Sequence, residues 1–166
     1  MSYNPSTSLS PSFVNQIPSF LTGEDSPREL LERYISVIQA RDNEVRAFVE
    51  LDLDGARSSA DASSKRYAEG KPISPIDGLP IGIKDIIETK DMPTQCGSPI
   101  YKGHQSGRDA PVTAALRRGG AVIVGKTATT EFAYGNVMAT TNPFDSDRTP
   151  GTSSSGSAAS VGAGMI

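Results

Sequence analysis

Asp109-Ala-Pro-Val-Thr-Ala-Ala-Leu-Arg-Arg-Gly-Gly-Ala-Val-Ile-Val124 places two kinds of structure end to end. Asp109 is suited to an N-cap, Pro111 to a first helical turn, and Val112, Ala115 and Leu116 share one face of a helix that Gly119-Gly120 stops. Ala121 to Val124 follows as a short unbroken apolar run, the pattern of a strand covered on both faces. A helix running straight into a buried strand is how an α/β domain with an internal sheet is built.

The same alternation recurs toward the N-terminus. Ile81-Gly-Ile-Lys-Asp-Ile-Ile87 is a second short apolar run, with one lysine inside it, reached through a turn-rich connection that carries Pro72, Pro75, Gly78 and Pro80. Asp52 to Glu69 is rich in Ala and Ser and reads as a helix stopped by Gly70, and Val45 to Leu51 before it has the β-branched alternation of a strand. Ser26-Pro-Arg-Glu29 combines an N-cap serine, proline at the first helical position and the glutamate of a capping box. Leu30, Leu31, Tyr34, Ile35 and Ile38 then mark one apolar face as far as about Arg41. Phe13 to Leu21 predicts a short helix that Pro18 breaks, and residues 1–12 are mostly Ser, Pro, Thr and Asn, too polar to order themselves. The resulting division is a flexible or partly helical tail over 1–22 and a single domain over 23–166. Its helices are expected near 26–41, 52–69 and 109–118, around a mixed, largely buried sheet.

Beyond the buried strand, Arg148 to Ile166 runs from a Pro-Gly turn through Thr152-Ser-Ser-Ser-Gly-Ser157 into small residues. This is a loop that delivers hydroxyls to a helix N-terminus. The last ten residues carry no charge, so that helix is expected to have neighbours on every face.

Sixteen Lys and Arg against nineteen Asp and Glu leave a net charge of −3, with the basic residues scattered, which argues against direct contact with nucleic acid. No stretch approaches the roughly 20 apolar residues of a membrane span. One cysteine excludes an internal disulfide, and neither a basic start nor an apolar run marks a signal peptide, so the cytoplasm is the expected compartment.

Elimination narrows the chemistry. His104 is the single histidine and lies in a polar, Gly-flanked loop; Cys96 has no thiolate-stabilising neighbours; together they cannot supply a zinc set. Gly120-Ala-Val-Ile-Val-Gly-Lys-Thr127 matches a phosphate-binding pattern, but its middle residues form the buried strand, where their N–H groups belong to a ladder and not to a phosphate. What remains is Lys84 among isoleucines, together with the hydroxyls of Ser153, Ser154, Ser155 and Ser157. A neutral amine can take a proton from a hydroxyl, and burial favours the neutral form of an amine, whereas most lysines are simply solvated.

These residues resemble the amidase-signature family. The resemblance runs in order through Asp77-Gly-Leu-Pro-Ile-Gly-Ile-Lys-Asp85, Thr94-Gln-Cys-Gly-Ser98, Asp109-Ala-Pro-Val112, Leu116 to Thr127, Glu131-Phe-Ala133, Asn142-Pro143 and Pro150-Gly-Thr-Ser-Ser-Ser-Gly-Ser157. It implies an α/β fold with an amidase-signature-like mixed sheet flanked by helices, of which this chain holds an N-terminal portion. It also implies hydrolysis of a carboxamide to a carboxylic acid and ammonia or an amine through a Ser–cis-Ser–Lys triad, with no metal or organic cofactor. By position, Lys84 matches the family's lysine base, and Ser153 matches the bridging serine that follows a cis peptide bond. The family's nucleophilic serine lies in a later Gly-Gly-Ser segment, past the position of Ile166, so no serine here takes that role and residues 1–166 alone are expected to be inactive.

The implied partners are a small-molecule amide and a second copy of the chain in a homodimer, with neither nucleic acid bound directly nor membrane. Two alternatives stand beside the amidase: the A subunit of a tRNA-dependent amidotransferase, and a shortened, non-catalytic binding module. Thr152 and Ser155 replace glycines of the family pattern, which counts against the amidotransferase reading.

Overall fold

A computed structural model describes residues 12–135 and 139–166. The expected tail therefore lies outside the described residues as far as Pro11. Helix α1 (Phe13–Thr22) runs through Pro18 without breaking there. Its apolar side is held from outside, since Phe20 is buried between Leu30 and Tyr67 with Phe13 and Ile17 beside it.

Helix α2 (Pro27–Val45) starts as its sequence dictates, with Ser26 Oγ accepting from Glu29 N at 3.2 Å. The reciprocal half of the capping box is replaced, because Ser26 N donates to Asp25 Oδ1 at 2.8 Å. The helix also runs four residues past the expected Arg41. Val45 is its last residue and a core residue, and the strand expected from Val45 begins only at Phe48. Asp42 makes the stop: its carbonyl accepts from Arg46 N and its carboxylate from Ala47 N, at 2.8 and 2.7 Å, while Arg46 turns left-handed.

Strand β1 (Phe48–Leu51) leads into α3 (Leu53–Ala68), whose N-cap Asp52 accepts from Gly55 N. Strand β2 (Pro80–Lys84) is shorter than the apolar run it sits in, since Ile86 and Ile87 both fold back to donate to the Lys84 carbonyl. Helix α4 (Pro111–Arg118) is capped by the backbone of Ala110 and not by Asp109, which instead accepts from Lys90 N at 2.9 Å. Its expected apolar face is also rotated. Val112 and Ala115 are exposed, and the buried side is Thr113, whose hydroxyl is satisfied by the Glu88 carbonyl, with Leu116 packed on Ile83, Met92 and Ile123.

Strand β3 (Val122–Thr127) is buried along its whole length and forms the centre of a mixed sheet ordered β1-β3-β2, antiparallel to β1 and parallel to β2. The core lies between this sheet and α2, α3 and α5 (Ser155–Gly162), joining Leu31, Ile35, Ile38, Val122, Val124, Ala159 and Met165. Arg41 ties α2 to the end of α5 by donating to the Ala163 carbonyl at 2.6 Å. Ala158 and Val161 of α5 face outward while its inner face meets the core, so the neighbours expected on its other faces are not among the described residues. Among the described residues, no helix is long and apolar enough to cross a membrane.

Candidate active site

The parallel pairing of β2 with β3 aligns Ile83 with Lys126 and Lys84 with Thr127. Side chains alternate along a strand, so these two rows face opposite sides of the sheet. On one side, Lys84 Nζ lies 2.7 Å from Ser153 Oγ, joining residues 69 apart in sequence. Both are half-buried. The peptide bond between Thr152 and Ser153 is cis.

Three contacts hold the serine loop against β3 and the turn after it. Thr130 N donates to the Ser153 carbonyl at 3.1 Å, Gly156 N donates to the Ala128 carbonyl at 3.0 Å, and Thr127 and Ser157 share a hydroxyl hydrogen bond of 2.7 Å. Gly156 is required by this close approach, because a Cβ there would press on the backbone of Ala128 and Ala47. The two departures from glycine create no such conflict. Neither Thr152 nor Ser155 has a left-handed backbone; Gly151 carries the positive φ of the loop instead. Ser155 is buried, and its hydroxyl, like that of Thr130, has no hydrogen-bond partner among the described residues.

On the other side of the sheet, Lys126 is fully buried. Its ammonium donates to Thr94 Oγ1 at 2.6 Å and to the Pro93 carbonyl at 3.0 Å, and lies 3.4 Å from Asp85 Oδ1. Burial pushes the Lys126 amine below its ordinary pKa, and the Asp85 carboxylate opposes that shift. Full enclosure thus falls on Lys126, whereas Lys84 is only half enclosed. In the sequence, Lys126 figures in the phosphate-binding pattern, whose middle residues do form the strand, and in the Leu116 to Thr127 stretch of the family resemblance, with no role given to it in either. A lysine inside a run of buried strand residues is itself a signal, because a charge there demands a buried acceptor.

The remaining candidates make no hydrogen bond to Lys84 or Ser153 among the described residues. His104 is exposed, and its ring meets Tyr101 edge-on. Burial, with the Asp85 carboxylate nearby, pushes the Cys96 thiol above its ordinary pKa, the reverse of an activated thiolate.

The sequence profile described as Amidase matches residues 29–166. The chain belongs to the amidase family. It is 44% identical over 147 residues to the A subunit of glutamyl-tRNA(Gln) amidotransferase from Anaeromyxobacter sp. (strain K), a match that covers 85% of this chain and 30% of that relative. Among solved structures, the native peptide amidase from Stenotrophomonas maltophilia superposes with a TM-score of 0.80 at 32% identity, over 87% of this chain and 32% of that one. A chain from a vestigial protein complex bearing on the origins of an s-triazine catabolic enzyme gives a TM-score of 0.87 at 33% identity, over 92% and 35%. This amidase-family chain thus spans about 30% of the length of the curated relative and about a third of these solved chains. The α/β architecture expected from the family resemblance is the one observed, in the portion that this amidase-family chain contains.

Proposed function

We propose that the full-length protein is an amidase that hydrolyses a carboxamide C–N bond, with Lys84 as base and Ser153 as the relay. The observation that carries this is the 2.7 Å contact between Lys84 Nζ and Ser153 Oγ. A base must lie within hydrogen-bond reach of the proton it takes, and this one does.

In the proposed reaction, Lys84 draws the Ser153 proton as Ser153 takes that of a nucleophilic serine supplied outside these 166 residues. The serine oxygen bonds to the amide carbon, the C–N bond breaks, and the relay returns the proton to the leaving nitrogen. Water then attacks the acyl ester by the same path and releases the acid. Residues 23–166 form the N-terminal part of that single catalytic domain, and residues 1–166 alone turn over no amide.

A second reading, the A subunit of a tRNA-dependent amidotransferase, is favoured by the 44% identity to such a protein. One experiment separates the two. The full-length protein is purified alone and given propionamide, benzamide, a p-nitroanilide and L-glutamine, and the release of ammonia or amine is followed. An amidase turns over at least one simple amide unaided. Ammonia released only from glutamine, and only with partner subunits added, selects the amidotransferase. No turnover under either condition leaves the non-catalytic binding module.

A further inference from the structure

Gly125-Lys126-Thr127, left without a role once the phosphate-binding pattern is set aside, ends β3 with one polar side chain on each face of the sheet. We infer that the buried Lys126–Asp85 pair is a positioning device for Lys84, and that β3 is the common reference from which both Lys84 and Ser153 are placed. The inference rests on Lys84 being the base.

Asp85 is the residue after Lys84, and both its backbone and its carboxylate are held. Its N–H donates to the Thr127 carbonyl at 3.0 Å and its carbonyl accepts from Cys96 N at 2.8 Å. Its Oδ1 accepts from Gln95 N at 3.0 Å and meets Lys126 Nζ at 3.4 Å. Lys126 in turn has three acceptors for its three N–H bonds: Thr94, Pro93 and Asp85. The side chains of the pair are 0% and 2% exposed, so water cannot replace either partner if they separate.

On the opposite face, Thr127 holds Ser157, Ala128 holds Gly156, and Thr130 holds Ser153. Lys84 and Ser153 therefore reach each other across two sets of bonds that start from one short segment, residues 126–130. Proton transfer is sensitive to that spacing, since a displacement on the order of 1 Å in a reacting arrangement can cost roughly 100-fold in rate. Among the described residues no hydrogen bond or ion pair joins Lys126 or Asp85 to Ser153, so the pair acts through Lys84.

The test uses the full-length protein with Lys126→Met, which keeps most of the length of the side chain and removes its charge, and with Thr94→Val, which removes the 2.6 Å acceptor together with the 3.4 Å donation of Thr94 Oγ1 to the Ile87 carbonyl. Two readouts are taken on each: kcat and KM on an amide that the parent hydrolyses, and the NMR titration of the Lys84 side chain in protein carrying 13C-labelled lysine, assigned with Lys84→Arg. A cooperative melt and a parental circular dichroism spectrum establish folding. The expected result for Lys126→Met is a kcat lower by roughly 100-fold, KM within about 3-fold, and a displaced Lys84 titration; Thr94→Val moves the same way by roughly 10-fold.

Folded variants with parental kcat and an unmoved Lys84 signal overturn the inference, as does a loss confined to KM. Where Lys126→Met does not fold, Thr94→Val decides on the same readouts. If the parent hydrolyses no amide, the functional reading fails separately, and the Lys84 titration alone decides: a displaced signal supports the positioning role and an unmoved one overturns it.

Discussion

The two lysines of the parallel strand pair lie one register step apart and live in opposite environments. Lys126 is sealed in, with three acceptors that include a carboxylate. Lys84 is half-buried, and its polar partner among the described residues is one neutral hydroxyl, with no ion pair there. The difference separates two uses of the same side chain. A lysine whose N–H bonds are all claimed by fixed acceptors is committed to holding structure, while one facing a single hydroxyl can exchange a proton with it. The sheet between them lets the first fix the position of the second.

Exchanging roles would break the comparison, and the largest effect should come from the open side. Lys84→Ala in the full-length protein is expected to lower amide turnover by about 10²–10⁴-fold, the usual contribution of a positioned acid or base. His104→Ala, in the exposed loop, should retain the parental rate. Equal losses from both variants, in a steady-state assay of ammonia release, would put the base elsewhere.

Stability should show the reverse order. Lys126→Met strands Asp85 as a buried charge, and breaking one side of such a pair costs about 3–5 kcal/mol. Lys84→Met removes one half-exposed hydrogen bond, for which about 1 kcal/mol is expected. Urea unfolding of the two full-length variants measures both, and equal midpoints would erase the distinction between the two sides.

A smaller effect tests the open side without touching the sealed pair. Gly156→Ala puts a methyl group against the backbone of Ala128 and Ala47, and overpacking of this kind costs about 1–3 kcal/mol. Because Gly156 sits three residues after Ser153, the displacement should also slow turnover, and a calorimetric melt with a rate measurement on one sample reads both. A lower melting temperature with an unchanged rate would show that Ser153 is held independently of Gly156.

The smallest expected effect comes from a charge cluster that faces solvent, as a reference for the sealed one. Hydrogen bonds from Arg57 first, and then Arg28, hold the Glu32 carboxyl at about 2, against the opposing influence of burial. Its folded pKa lies below the ordinary 4.5, so its stabilisation is complete above 4.5 and is lost as pH falls from there through about 2. Glu32 is 40% exposed, which limits the contribution to less than about 1 kcal/mol. Glu32→Gln should flatten the pH dependence of stability over that window by this small amount, followed by urea unfolding at stepped pH; an unchanged slope would show that the cluster contributes nothing.

Most element types are legible because local rules decide them. Ser26-Pro27 begins α2 where capping chemistry requires it, Gly70 follows α3, and the apolar run at Ala121 is a strand. Boundaries fail where a distant or unexpected partner intervenes. Asp42 ends α2 with its own side chain, Lys90 takes Asp109 away from the cap of α4, and Glu88 turns Thr113 inward in place of Val112. The candidate site is legible as residue types in order: Lys84 and Ser153 both stand in motifs that point to them, while Lys126 is hidden inside a motif with another meaning.

What the sequence determined by itself was therefore the family, the alternation of helix and strand, and the identity of the two residues that meet at 2.7 Å. Periodicity, caps and motif order are properties of neighbours along the chain, and they survive without coordinates. Only the tertiary structure decided which lysine is sealed and which is open. Enclosure depends on what covers each face of the sheet, and the groups that cover Lys126, at Asp85, Pro93 and Thr94, come from a separate stretch of chain well before β3. Strand alternation puts Lys84 and Lys126 on opposite faces only once the register of β2 against β3 is set, and that register arises from pairing across the fold.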